Sequence, residues 1–360
     1  MLALLFILLA APRVPSSDSE VLEQLRATPE DPGLASLRQM RAELSRHPED
    51  LALATSTARA YLERGSVEGD PRFTGRAQAA LMPWWAQPQA PEPVLVLRAI
   101  IRQRNHFFAP AIEDLQRALA LDPRDGQAWL TLASVQTVAG DLDGSRRSCI
   151  QVFGLVSRVA GVACLSPLDG NYQLLERTLA QDGASGATAE WIWTLIAELA
   201  ARAGDVSAAE AAFRRALAVD TPSAYLLGAW SDFLLDQKRP AEVVRLLRDR
   251  TRIDPLLLRL ALAEQALRAP ELAAHVEALR ERFAASRQRG DVVHRREEAR
   301  FELDLEHDPA RALRLARDNW AVQHEVADAR VLLDAAKAAG DEQAAAPAAA
   351  FARQAHWARW

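Results

Sequence analysis

Residues 190–216 read EWIWTLIAELAARAGDVSAAEAAFRRA, and this stretch decides the fold. Two apolar runs with helical spacing flank Ala203-Gly204-Asp205, and Gly alone takes a positive φ in a tight turn without steric cost. The triplet recurs at Ala139-Gly140-Asp141 and Ala339-Gly340-Asp341. Gly204 and Gly340 lie four units of 34 apart; Gly140 and Gly204 are separated by one unit of 34 and one of about 30. A helix pair that recurs at this period cannot bury its apolar face alone, so neighbours must stack.

Composition agrees. The chain has 360 residues, is 49% hydrophobic, and is rich in Ala and Leu rather than in strand-forming residues. Its net charge is −5 with both signs interspersed, which gives no electrostatic case for nucleic acid. Lys238 and Lys337 are the only lysines against abundant Arg, a skew that fits GC-rich bacterial coding. Leu2–Ala11 is an uncharged apolar run of about ten, half the ~20 residues a spanning helix needs. It fits the apolar region of a secretory signal, with Val14 and Ser16 at the cleavage site and Ser17 as first mature residue. No basic residue follows Met1, so a frayed apolar terminus of a cytoplasmic protein is the alternative. Export to the periplasm is the leading expectation, with no membrane span in the mature chain.

The residues around the turns resemble the tetratricopeptide repeat, whose unit carries bulky residues at positions 4 and 7, small ones at 8, 20 and 27, Gly near 15 and an apolar at 24. A unit from Glu190 places Trp193, Ile196, Ala197, Gly204, Ala209, Phe213 and Ala216 there, with Pro222 one place beyond the family's proline. Units from Glu92 (Leu95, Ala99, Ala111, Leu115, Ala118), Gly126 (Trp129, Leu132, Ala133, Gly140) and Ala224 (Leu227, Trp230, Ser231, Leu247) match in part. Val156–Ala189 keeps Ala163 and Gly170, although Pro167 is expected to shorten its first helix. Leu258–Asp291 and Val292–Glu325 read as helix pairs without the signature. Val326–Arg359 recovers Leu332, Gly340 and Ala345, with a kink expected at Pro347.

The resemblance implies an all-α, right-handed solenoid of helix-turn-helix repeats. The expected organisation is a signal segment at 1–16, N-terminal helices and a degenerate unit at 17–82, a connector at 83–93, a core array at 94–257 and degenerate repeats at 258–360. Helices are expected over Glu20–Arg26 and Leu34–Arg46, and Ser66–Gly75 reads as an insertion. The connector, with four prolines and Trp84-Trp85, reads as stiff and extended.

Cys149 and Cys164 are the only cysteines. Facing residues of an antiparallel hairpin share a constant sum of positions, and this pair centres between Val156 and Ser157, where a turn is expected. They therefore face each other, either as a disulfide or as two reduced core fillers. Their spacing is not that of a zinc or redox site.

No nucleophile elbow, dinucleotide fingerprint or phosphate loop appears, and neither a cofactor nor catalysis is expected. His324-Glu325-Val326-Ala327-Asp328 is one residue from a zinc-peptidase helix motif, but it falls at an expected turn and lacks a third ligand, so no metal is expected. His294-Arg295-Arg296-Glu297-Glu298 reads as a solvated helix face, and Arg289-Gly290-Asp291 as a turn.

Partners of the resembling family lie along the first helices of the units, at positions 2, 5, 9, 12 and 13. Carried over, these are Gln103 and Arg104, then Gln127, Ser134 and Thr137. Trp191, Thr194, Glu198 and Arg202 follow, and finally Tyr225, Asp232 and Asp236. Position 5 holds Val96, Leu130, Thr194 and Gly228, and position 9 holds Ile100, Ser134, Glu198 and Asp232, which departs from the family's Lys-and-Asn carboxylate clamp. The implied function is a scaffold or adaptor of the bacterial envelope that binds a protein or peptide. A small ligand or polysaccharide stacked on Trp84, Trp85, Trp191 and Tyr225 is the alternative.

Overall fold

The computed structural model describes residues 31–219, 221–355 and 357; the expected signal segment and the Glu20–Arg26 helix lie outside them. Among the described residues every regular element is a helix. An entry helix α1 (Pro32–Arg46) leads into α2 (Leu51–Glu68) and α3 (Arg72–Ala80), followed by a single turn α4 (Met82–Trp85). Next come the pairs α5 (Glu92–Arg104) with α6 (Phe108–Leu121), and α7 (Gly126–Val138) with α8 (Leu142–Val152). The middle of the chain forms α9 (Arg158–Asp169) with α10 (Tyr172–Asp182), and α11 (Gly186–Ala203) with α12 (Val206–Ala216). Then follow α13 (Ala224–Asp236) with α14 (Pro240–Leu247), and α15 (Asp254–Leu267) with α16 (Leu272–Gln288). The last pairs are α17 (Arg295–Asp304) with α18 (Pro309–Trp320), and α19 (Val326–Ala338) with α20 (Ala346–Gln354).

The recurring triplet does two jobs. Its Gly turns the chain in the left-handed region, at φ +87° for Gly140, +81° for Gly204 and +71° for Gly340. Its Asp then caps the next helix: Asp141 accepts from Gly144 N (2.8 Å), Asp205 from Ala208 N (3.0 Å) and Asp341 from Ala344 N (3.3 Å). Such a cap contributes about 1 kcal/mol. The units that lack the signature make the same bend with Arg268 (φ 55°) and His307 (φ 57°), each at a cost of roughly 1–2 kcal/mol. Small residues sit where the helices touch, with Ala197, Ala209 and Ala216 fully buried. Large ones fill between pairs: Phe213 packs at a tilt on Trp230 and Phe233, with ring centroids at 5.2 and 5.4 Å.

Four local expectations are corrected. The insertion at Ser66–Gly75 is absent: α2 runs on to Glu68, with Gly65 packed inside it on Phe73, and Gly69 (φ +63°) makes the bend. Pro167 does not end α9, which continues to Asp169 and stops at Gly170 in the left-handed region. Pro347 sits in the first turn of α20, so the chain breaks there into a short 3-10 segment, Glu342–Ala345, ahead of α20 instead of kinking a continuous helix. The proline-rich connector is folded rather than extended. The Arg98 guanidinium gathers the carbonyls of Trp85 (2.7 Å) and Gln87 (2.9 Å) while its other face pairs with Asp114 (2.7 and 2.8 Å). Trp84 and Trp85 pack half-buried against the core of α2, α3 and α5.

The ribbon of helix pairs then meets itself. The α2–α3 bend at Gly69 lies against Ala224 and Ile253, and the α7–α8 bend at Gly140 lies against the His324 ring. Residues 69 and 253, like 140 and 324, are 184 positions apart, about five and a half units. Between these contacts, burial pushes the His106 imidazole in the α5–α6 bend below its usual value, with the Arg296 charge acting the same way and those of Glu325 and Glu297 opposing. A hydrogen bond seals the second seam, with His324 N donating to Val138 O at 2.8 Å. Bends within pairs form one edge of the ribbon and loops between pairs the other. Their meeting at a constant offset turns a coiled ribbon into a walled one, so the inner face is not an open trough.

Candidate binding surface on the inner helices

The first helices of successive pairs share the inner face, as their long side chains show by reaching one another across several units. Asp232 on α13 takes Arg259 of α15 (2.9 Å) and Arg300 of α17 (2.6 Å). Asp236, one turn on, takes Arg330 of α19 through two bonds of 2.6 and 2.7 Å. Burial pushes the Asp232 carboxyl up, but the two arginine charges outweigh it and hold it well below the usual carboxylate range.

At the centre of this face, the Tyr225 hydroxyl donates to Glu198 Oε1 at 2.8 Å. The Tyr225 ring is 64% exposed and Trp191 39%, so both present uncovered aromatic surface. Glu198 itself is half-buried, and burial pushes its carboxyl up to about 7, against the opposing effects of the Tyr225 bond and the Arg202 charge. Burial in turn lowers Arg202, and the Glu198 charge first, then burial, holds the Tyr225 phenol well above its ordinary value. Near neutral pH the carboxyl is therefore partly protonated and can donate as well as accept a hydrogen bond. Facing it, Arg296 donates to Glu325 Oε2 (2.7 Å) and lies 3.2 Å from Glu297 and 3.4 Å from Asp328. Asp328 is fully buried, where it accepts from Asn319 (2.8 Å) and caps α19 through Glu325 N (2.8 Å).

The expected contact residues therefore divide. Glu198, Arg202, Tyr225 and Asp232 come together on the inner face, with Trp191 two turns before Glu198 on α11 and Asp236 one turn beyond Asp232 on α13. Gln103 and Ser134 bridge α5 to α7 at 3.3 Å, and Gln127 is exposed beside Thr131 (3.1 Å). Three others have different work. Thr194 is buried and bonds back to Glu190 O (2.7 Å), Thr137 bonds Ser145 of its own partner helix (2.7 Å), and Arg104 tethers α5 to Ser66 of α2 (2.6 Å). A threonine in a helix interior can satisfy its hydroxyl on the preceding turn, and so it turns away from the inner face.

Arg259, Arg296, Arg300 and Arg330 were missed. The signal was present: in the units from Leu258, Val292 and Val326 they fall at positions 2, 5, 9 and 5, the rule already applied to the clearer units. The reading of His294–Glu298 as a solvated face is also corrected. Glu297 and Glu298 are buried, and Glu298 takes Arg287 and Arg311. His324 belongs to the seam, edge-on to Trp320 at 4.6 Å, and burial pushes its imidazole below the usual value. Among the described residues no group of three His, Cys, Asp or Glu could hold a metal ion, and no helix is long and apolar enough to cross a membrane. Cys149 and Cys164 are joined in a disulfide between α8 and α9, Cα to Cα 5.5 Å.

No protein-family model matches the chain, and no curated protein matches it significantly. Among solved structures it is similar to a tetratricopeptide repeat protein from Parabacteroides merdae, with 15% identity, a TM-score of 0.41, and coverage of 69% of this chain and 91% of that one. It is also similar to the Cut9-Hcn1 hetero-tetramer of the APC/C, with 14% identity, a TM-score of 0.40, and coverage of 84% and 52%, so that it spans about half the length of that chain. A human IFIT1 dimer with m7Gppp-AAAA matches at 12% identity and a TM-score of 0.41, over 90% and 77%. Likenesses this distant say nothing of what the present chain binds.

Proposed function

We propose that this tetratricopeptide-like array is a non-catalytic scaffold that takes an extended segment of a partner protein against its inner helices. The observation that carries the reading is the Tyr225 ring: 64% exposed on the inner face, yet anchored through its hydroxyl to Glu198. A rigid aromatic with few rotatable bonds, exposed and held in place by a hydrogen bond, is the kind of group that dominates peptide binding. The contacts between the ribbon's edges favour an extended chain as the occupant, its amides bonding to Glu198 and Arg202. The Cys149–Cys164 disulfide, the apolar run Leu2–Ala11 and the Arg-over-Lys skew support placing the scaffold in a bacterial envelope. The polysaccharide reading loses support at Trp84 and Trp85, whose rings are engaged with the core.

The test is selection of peptides from a random display library on the full chain, repeated on a Trp191→Ala, Tyr225→Ala variant. Selected peptides are expected to bind the variant at least 30-fold more weakly, about 2 kcal/mol, while its thermal melt is unchanged because neither ring is core. Equal binding to both proteins, or no enrichment on the native one, would sink the proposal.

A further inference from the structure

A second unfilled surface lies away from the inner face, where α1, α2 and α3 come together. A cavity of about 700 Å³ opens there, bounded by Leu44, Tyr61, Ala80, Met82 and Pro83. That is within the ~300–1,000 Å³ typical of sites for small organic ligands. Gly75 forms part of its wall, and a Cβ placed on it would meet nothing within 4 Å.

Two polar features mark the cavity as more than a packing gap. Thr57 lines it, is fully buried, and has a hydroxyl with no hydrogen-bond partner. Thr55, Thr131, Thr178 and Thr194 all bond back to the carbonyl four residues earlier; Thr57 does not, and an unsatisfied buried hydroxyl costs about 1–3 kcal/mol. Arg41, Arg72 and Arg76 also border the cavity and are solvent-exposed, so their charged ends stand at its mouth. Asp70 neutralises Arg72 through bonds of 2.6 and 2.9 Å. Arg76 lies over the Phe73 ring at 5.1 Å, and among the described residues neither Arg41 nor Arg76 has a carboxylate in ion-pair range. Among the described residues, none that lines it is acidic.

We propose that this cavity binds a free fatty acid, with the acyl chain on the apolar wall and the carboxylate between Arg41 and Arg76. An apolar trough open to water is occupied by hydrocarbon, and a mouth with three arginines around the single carboxylate of Asp70 keeps a net positive charge that selects a negatively charged head.

The full chain titrated calorimetrically with sodium laurate, below its micelle concentration, is expected to show one saturable site, with dodecyltrimethylammonium bound at least tenfold more weakly. Gly75→Phe fills the trough from a helical position where any side chain improves on Gly. It should weaken laurate at least tenfold with no loss of thermal stability. Arg41→Glu with Arg76→Glu should weaken laurate to the same extent and reverse the preference between the two surfactants. Absence of saturable laurate binding, equal affinity for the cationic surfactant, or unchanged binding to Gly75→Phe would each overturn the assignment.

Discussion

Arg98→Ala is expected to destabilise the protein by about 3–5 kcal/mol, the usual cost of removing one partner from a buried charge pair. The Arg98 side chain is 3% exposed and Asp114 is fully enclosed. Without the guanidinium, Asp114 keeps only Arg102, at 2.6 Å, while the carbonyls of Trp85 and Gln87 lose their shared donor. The damage should be visible locally, because the connector is held in its fold by those bonds. Urea unfolding followed by tryptophan fluorescence reads both effects: a lowered midpoint, and a red-shifted native spectrum as Trp84 and Trp85 meet water. Arg102→Ala, at a side chain 25% exposed, should cost much less. Equal losses for the two variants would mean that the Arg98 pair is not the clamp described.

Reduction of Cys149–Cys164 is expected to cost about 3 kcal/mol, the chain-entropy value for a loop near 15 residues. The bond joins neighbouring helices of adjacent pairs, so its loss frees the unfolded chain more than it alters native packing. Chemical unfolding with and without dithiothreitol measures the difference, and a Cys149→Ser, Cys164→Ser variant should no longer respond to reductant. An unchanged midpoint, with both thiols shown to be free after reduction, would contradict the expectation. The same bond makes an oxidising compartment the favourable one for this fold.

Much of this architecture is legible in the sequence because repeats write it in local terms. Gly at 140, 204 and 340 needs only a backbone conformation, Asp after it needs only a cap, and alanines at fixed offsets need only two close backbones. The inner face followed from the same register, which is why Glu198, Arg202, Tyr225 and Asp232 do meet. Where the signature fades, at Leu258–Glu325, the bends survive on Arg268 and His307, whose strain no spacing rule reveals. The arginines at positions 2, 5 and 9 of those units were readable only to a reader willing to apply the rule without the signature. Arg98 was a missed clue of another kind, a lone charge in the apolar run of α5 that had to find a buried acid. The seam was the least legible feature. It joins residues 184 positions apart through a glycine surface, a ring and one backbone bond, and its register depends on the summed tilt of five pairs.

That seam is what makes the inner face a walled recess, and the amide of His324 reports on it directly. It lies in a loop between helices, and its partner is the carbonyl of Val138 from across the seam. Native-state hydrogen exchange is expected to find it protected at least a hundredfold beyond an open loop amide, in step with the core of α19. Exchange at the unprotected rate would show an array whose edges do not meet, and a binding face open to solvent along its length.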